Sequence, residues 1–329
     1  MELPYHVRDV RISDPCVLAD PVTHLYYLYA ASFSPERFPG QLEKGCFHAI
    51  FSPDLIHWSA PVRVFEQGDF WADLDYWAPE CHYWRGKYYL ISSFRAAGTY
   101  RRCQCLVADG PLGPFRPIEP EPVTPEGWQC LDGTLYEDRN GRPWMVFCHE
   151  WLQVFDGQVA AVPLSEDLGH AVGEPVILFR ASDAPWHASQ SGEDAYDGYV
   201  TDGPFLHRMQ DGTLIMLWSN FARSGYATGY ARSLSGDILG PWVQEKEPLY
   251  ALDGAHSMLF RTFGGQLMMA LHAPNEHPKK RMLLFQMEED HGRLRIVNEV
   301  TGNWYNGLGG KNACFRYREP LKEEPLLIQ

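Results

Sequence analysis

Five times along the chain an acidic or His-bearing turn opens a pair of short apolar strands, and no other feature constrains the fold so tightly. The openings read Ser13-Asp14-Pro15, Tyr76-Trp77-Ala78-Pro79-Glu80, Leu131-Asp132-Gly133, Thr201-Asp202-Gly203-Pro204 and Asp253-Gly254-Ala255-His256. They lie roughly 50 to 70 residues apart, near the range of propeller blades. The third opening runs into Thr134-Leu135-Tyr136, a bend at Asn140-Gly141 and the apolar run Pro143-Trp144-Met145-Val146-Phe147-Cys148. The fourth bends at Asp211-Gly212 and the fifth at Gly264-Gly265. Such dipeptides between apolar runs are strong hairpin signals. The chain is therefore expected to be all-β: one five-bladed β-propeller domain spanning residues 1–329, in preference to a β-sandwich. Its 29 Gly, 25 Pro and 45 aromatic residues (11 Trp, 17 Tyr, 17 Phe) suit strands and turns rather than helices.

A propeller gathers the starts of its innermost strands around one axis. The rim then also collects the residues that finish each second strand. The openings offer Asp14, Glu80, Asp132, Asp202 and His256. The second-strand ends offer Ser32, Phe33, Ser93, Arg95, His149, Glu150, Asn220, His272 and Asn275. Several carboxylates crowded into one small pocket cannot all ionise cheaply, so at least one pKa rises. A raised carboxyl is what a general acid needs at neutral pH. Two carboxylates with room for water between them make the arrangement of inverting glycoside hydrolysis. Glu150 stands out because it ends an apolar run, Val146-Phe147-Cys148-His149, where a carboxylate needs a partner or a task. His256, near the axis, is a candidate ligand for a hard central cation completed by water and carbonyls. Trp71, Tyr76, Trp77, Trp151 and Trp186 lie near openings or in inserted segments, and their faces suit the C–H faces of a sugar.

Two stretches break the hairpin pattern, residues 66–76 and 181–200. Loops of that length in a compact fold are usually functional, and both are expected to wall the pocket.

The formal net charge of −14 repels phosphate backbones and anionic membrane surfaces, so neither nucleic acid nor a membrane is an expected partner. A neutral sugar carries no such penalty. The sequence begins without an apolar signal core and has no stretch approaching a membrane span, so a cytoplasmic location is expected. The eight cysteines are scattered, and Cys103 and Cys105 have no partner pair at zinc-site spacing. They read as buried free thiols.

Together these segments resemble glycoside hydrolase family 43, the five-bladed propeller enzymes. The matching pieces are Asp14-Pro15 with Tyr26-Tyr27-Leu28-Tyr29, Trp77-Ala78-Pro79-Glu80 with Gly86-Lys87-Tyr88-Tyr89-Leu90, and Asp132-Gly133 with Asp138-Arg139-Asn140-Gly141. Gly203-Pro204-Phe205 and His256-Ser257 complete the set. The resemblance implies inverting hydrolysis of α-L-arabinofuranosides or β-D-xylosides, and with no export signal in view, exo-acting release of a terminal pentose, α-L-arabinofuranose first, from short oligosaccharides is the expectation. The resemblance implies no organic cofactor, and a structural calcium ion beside His256. By the resemblance Asp14 is the general base and Asp132 the residue that orients and tunes the acid. The family's acid is usually a Glu before Gly-Pro, whereas this chain has Asp202, shorter by one methylene. Asp202 or Glu150 is therefore the acid, with reach and buried context favouring Glu150. Trp77, Glu80, Trp151, Trp186 and His272 are the expected substrate contacts. Two other functions compete. A phosphorolytic propeller acting on mannosides needs a phosphate site, for which Arg95, Arg101 and Arg102 form the one cluster. A non-catalytic sugar-binding propeller would treat Asp202 as the mark of lost activity.

Overall fold

The computed structural model describes residues 2–30, 45–191 and 197–301. Ser32, Phe33, Gly192, Glu193, Cys314 and the segment after Thr301 lie outside the described residues. The chain forms five antiparallel four-stranded sheets, each built from strands that follow one another in sequence, except that in the first the short strand His57–Trp58 intervenes and pairs with Tyr5–His6. The first blade holds Cys16–Asp20, Leu25–Tyr29, Cys46–Ser52 and Val62–Glu66. The second holds Leu74–Trp84, Lys87–Arg95, Arg102–Ala108 and Arg116–Pro117. The third holds Cys130–Glu137, Pro143–His149, Gln158–Pro163 and Val176–Arg180. The fourth holds Asp202–Arg208, Leu214–Ala222, Gly225–Ser233 and Trp242–Gln244. The fifth holds Ala255–Arg261, Leu267–Ala273, Arg281–Asp290 and Arg293–Glu299.

The inner strands touch in the order one, two, three, four, five and back to one, which closes the ring. The predicted five-bladed propeller is thus the observed fold. No strand is exchanged between the two ends of the described chain. Closure runs instead through the segment before the first blade: Ile12 donates its N–H to the Lys280 carbonyl at 3.1 Å, and Arg11 bridges Arg281.

Second strands are covered on both faces by neighbouring blades, so they read as unbroken apolar runs rather than alternating ones. Pro143–His149 and Leu267–Ala273 are buried along their whole lengths. The core consequently lies between blades. Leu131, Val146, Phe179 and Trp218 pack blade three on blade four. Leu217, Leu259, Met269 and Phe285 pack blade four on blade five. The described cysteines are free thiols, all buried except Cys46. No described helix is long and apolar enough to cross a membrane.

One local device recurs at the blade openings. In blades two to five the inner strand carries one extra residue against its partner, in the intervals Trp77/Glu80, Leu131/Thr134, Asp202/Phe205 and Ala255/Met258. Such bulges re-aim side chains and are common beside active sites. Within each bulge one residue is left-handed: Ala78 (φ 44°), Asp132 (55°), Gly203 (48°) and His256 (54°), with Asp14 (49°) at the same place in blade one. For the non-glycine residues this conformation costs on the order of 1 kcal/mol each. It is tolerated because neighbouring side chains seize the exposed backbone N–H groups.

Candidate active site

Those seizures form a circuit across blades. Ser93, near the end of the second strand of blade two, accepts the Asp132 N–H at 2.9 Å. Ser219, at the corresponding place in blade four, accepts the His256 N–H at 2.8 Å. His272 of blade five accepts the Asp14 N–H on Nδ1 at 3.1 Å. Between blades three and four the Asp132 carboxylate itself takes the part, accepting the Gly203 N–H at 2.9 Å. The left-handed turns and their partners thereby aim Asp14, Asp132 and His256 at the axis.

They meet in a cavity of about 650 Å³, within the size range of small-molecule sites. All five blades line it. Asp14, Asp132, Asp202, Trp77, His256 and His272 are all on its wall, as is Tyr226. His256 Nδ1 stands 3.2 Å from Asp14 Oδ1 and 3.8 Å from Asp132 Oδ2. Tyr226 donates its hydroxyl to Asp202 Oδ2 at 2.8 Å. Because His272 Nδ1 accepts a backbone N–H, its proton belongs on Nε2, which lies 3.3 Å from Asn275 Oδ1. Burial also lowers the His272 pKa, in keeping with a neutral ring.

The carboxyl groups are driven apart in acidity. Burial alone would raise Asp14, yet the His256 charge outweighs it and holds Asp14 well below the usual carboxylate range. Burial, reinforced by the charges of Asp132 and Glu150, pushes Asp202 up to about 8. Asp132 is also raised, by burial and by Asp14, with His256 pulling the other way. Burial opposes the charge on His256, but the carboxylates of Asp14, Asp132 and Asp202 raise its pKa overall. One cavity therefore holds an ionised carboxylate and a carboxyl that keeps its proton near neutral pH. That pairing can take a proton on one side of a bond and deliver one on the other.

Glu150 lies elsewhere. It does not line the cavity; it is buried against Arg101, whose Nη1 donates to Oε2 at 2.6 Å. Arg101 also holds Asp75 at 3.1 Å and lays its guanidinium 3.8 Å from the centre of the Trp77 ring. The isolated carboxylate read from the sequence thus has a partner, and its pair props the back of an exposed platform. Trp77 is 42 % exposed and faces the cavity.

Three expected sugar contacts are not on the cavity wall. The bulge at Trp77/Glu80 puts Ala78 in the rim position, so Glu80 sits further down the axis, bonded to Thr134 and 2.5 Å from His82 Nε2. Trp151 lies in the helical turn Trp151–Val154 against the backbone of Gly198. Trp186 is buried against Trp218, with ring centres 5.2 Å apart, over Gly229. Of the two irregular stretches, 66–76 supplies Asp73, Leu74, Asp75 and Tyr76 to the cavity. No described residue of 181–200 lines it.

Sequence reasoning missed Tyr226 and Lys280, which line the cavity, and named Arg101 only as a candidate phosphate ligand. A signal existed. In a meander the third strand starts where the second ends, so its first residues also return to the rim. Gly45, Tyr226 and Lys280 all stand at third-strand starts.

Beneath the cavity a gap of about 10 Å³ is bordered by Asp14, Glu80, Gly203, His256 and Ser257. That is room for about one water. A calcium ion takes six to eight oxygen ligands. Among the described residues no group of three or more acidic, His or Cys side chains could hold a metal ion. No step below runs through a metal.

The profile of the glycosyl hydrolases family 43 matches residues 7–293. The chain belongs to glycosyl hydrolase family 43. A solved structure described as endo-arabinase from Bacteroides thetaiotaomicron VPI-5482 is 40 % identical, covers 89 % of this chain and all of that one, and superposes with a TM-score of 0.83. An α-L-arabinofuranosidase from Lactobacillus brevis, 16 % identical over 87 % of this chain and 94 % of that one, shares the fold with a TM-score of 0.67. Xylosidase/arabinosidase 43A of Humicola insolens is 35 % identical over 149 residues, 40 % of this chain. The match spans 44 % of that relative's length. This family 43 chain is a glycoside hydrolase built as a five-bladed propeller.

Proposed function

We propose that the protein cleaves arabinose- or xylose-containing oligosaccharides by single-displacement hydrolysis with inversion. The observation that carries the reading is the meeting of Asp14, Asp132 and Asp202 from three blades on one cavity wall, with His256 against Asp14 and Tyr226 bonded to Asp202. Asp14 takes a proton from a water whose oxygen attacks the anomeric carbon. As the glycosidic C–O bond breaks, Asp202 delivers its proton to the leaving oxygen. Asp132, fixed by Ser93 and by the Gly203 N–H, raises the Asp202 pKa and keeps it loaded. Asp202 takes the acid's part in preference to Glu150, because Glu150 is committed to Arg101 away from the cavity.

Walls from all five blades surround the acids, a shape that receives a chain end. Release of a terminal pentose, arabinofuranose before xylose, is the first reading. The likeness to a structure described as an endo-arabinase favours a second, cleavage within the chain. Phosphorolysis has less support. Arg95 and Arg101 are paired to Asp75 and Glu150, and Arg102 to the carbonyls of Pro122 and Thr124.

The test is a panel of aryl glycosides and linear arabino- and xylo-oligosaccharides, with the product anomer followed by NMR. Hydrolysis of a pentoside with inverted product supports the proposal. Retained configuration, or phosphate-dependent release of sugar phosphate, overturns it. Early products of single-sugar length support terminal release, and mixed lengths support internal cleavage.

A further inference from the structure

A second cavity, of about 640 Å³, is lined by blade two and the segment that follows it. Its lining includes Trp71, Tyr100, Arg102, Pro120, Glu121 and Glu126. We propose that it is a distal sugar subsite, which binds the far part of the neutral pentose chain whose scissile bond lies over Asp14 and Asp202. The proposal rests on the hydrolytic reading above and extends it to substrate length.

Continuity with the catalytic cavity is the first argument. Asp73, Leu74, Asp75, Tyr76 and Trp77 line the catalytic cavity, and Trp71 lines the distal one, so a single short stretch joins them. In the same hairpin Leu74 pairs with Arg95, and the turn from Ala96 to Thr99 delivers Tyr100. Leu74 and Trp77, 39 % and 42 % exposed, line the catalytic cavity, and Tyr100, 46 % exposed, lines the distal one. Exposed apolar side chains clustered between two cavities mark a contact surface.

The chemistry of the lining is the second argument. Trp71 is held at its edge by a 2.6 Å hydrogen bond from Nε1 to Gln104, whose own amide donates to the Glu119 carbonyl at 2.6 Å. Its face is therefore preset, which reduces the ordering cost of binding. Glu121 and Glu126 are exposed, and no hydrogen bond engages either carboxylate among the described residues. They are acceptors for sugar hydroxyls. The Arg102 guanidinium is already bonded to the carbonyls of Thr124 and Pro122. Two carboxylates against one engaged cation disfavour phosphate and uronic acids, and leave neutral sugars as the fitting class.

Binding far from the reacting bond should appear in KM and its dependence on chain length. Wild type, Tyr100→Ala and Glu121→Gln are compared on an aryl pentoside and on linear oligosaccharides of two to six sugars. The aryl substrate reports on the catalytic cavity alone. The expected result is unchanged aryl hydrolysis, with KM for the hexamer raised about tenfold in Tyr100→Ala and kcat preserved. Identical chain-length dependence in all three proteins overturns the distal subsite and leaves the hydrolytic reading standing. If wild type cleaves no pentoside, the hydrolytic reading fails. Quenching of tryptophan fluorescence by the hexamer then judges the cavity alone: equal titrations for wild type and Tyr100→Ala overturn it, and a weakened one in the variant supports it.

Discussion

Asp132 Oδ2 accepts the backbone N–H of Gly203 across 2.9 Å, so the acid of blade three is anchored on the residue beside the acid of blade four. The two carboxyl groups therefore share one rigid joint. Ionisation of Asp132 bears directly on Asp202, and the protons of the pair come off as a unit.

Replacing Asp202 by Asn should lower kcat on oligosaccharides by about 10²- to 10⁴-fold and spare aryl substrates with good leaving groups, which need little protonation. Asp14→Asn should suppress both classes alike, since water must be activated whatever departs. Steady-state kinetics across a leaving-group series checks the contrast. An equal loss for every substrate in Asp202→Asn would remove Asp202 from the acid's role.

Glu150→Gln should behave as a structural lesion. The buried Arg101 loses a charged partner 2.6 Å away, which should cost about 1 to 3 kcal/mol of stability. Urea unfolding measures the cost. Leaving-group dependence should match wild type, and a selective loss on poor leaving groups would restore Glu150 as the proton donor.

The pH profile of kcat/KM should fall on its alkaline side as Asp202 loses its proton, near about pH 8. The Tyr226 hydroxyl favours the ionised form of Asp202, so Tyr226→Phe should move that limb to higher pH. A limb unmoved or shifted downward in the variant contradicts the assignment.

Asp202→Asn should raise stability while it lowers activity. Asp202 is protonated in the folded state up to about 8, whereas its ordinary value is 3.8. Between these values the folded state binds more protons than the unfolded one, so this group makes stability fall as pH rises. Asp202→Asn escapes that penalty. Its thermal midpoint should exceed wild type by a margin that grows from about pH 4 to about pH 8. Calorimetry at both ends of the range gives the answer, and a constant margin would count against the raised carboxyl.

His272→Ala should disturb Asp14 without touching Asp202. The neutral imidazole accepts the Asp14 N–H on Nδ1 and so fixes the left-handed turn that aims the carboxylate. Misplacement of Asp14 should lower kcat by up to about 10²-fold, for good and poor leaving groups alike. An unchanged kcat would show that the His272 bond does not position Asp14.

Much of this was legible before any coordinates. Openings and bends name the five blades, because hairpin grammar is local and each turn carries its own dipeptide. Asp14, Asp132, Asp202, His256 and His272 converge as their strand ends imply. What the sequence hid is the phase of the bulges. One extra residue per inner strand decides that Ala78, and not Glu80, occupies the rim, and hydrophobic alternation does not report a single inserted residue. Tryptophans were ambiguous for a different reason. Trp77 stands in a blade opening and Trp186 in the stretch that leads to one, and only packing distinguishes a ring over Arg101 at the cavity from one pressed on Trp218. Glu150 misled because its neutralising partner, Arg101, comes from another blade, 49 residues earlier.

The histidine that seats Asp14 comes from the opposite end of the described chain, 258 residues away. A nascent polypeptide that has built only its first four blades would already carry Asp132 and Asp202 but would have no latch for Asp14. With Asp14 as the proposed base, hydrolytic competence should be withheld until head and tail of the circle meet. Any damage that springs the ring open should silence the enzyme before it unravels the remaining blades.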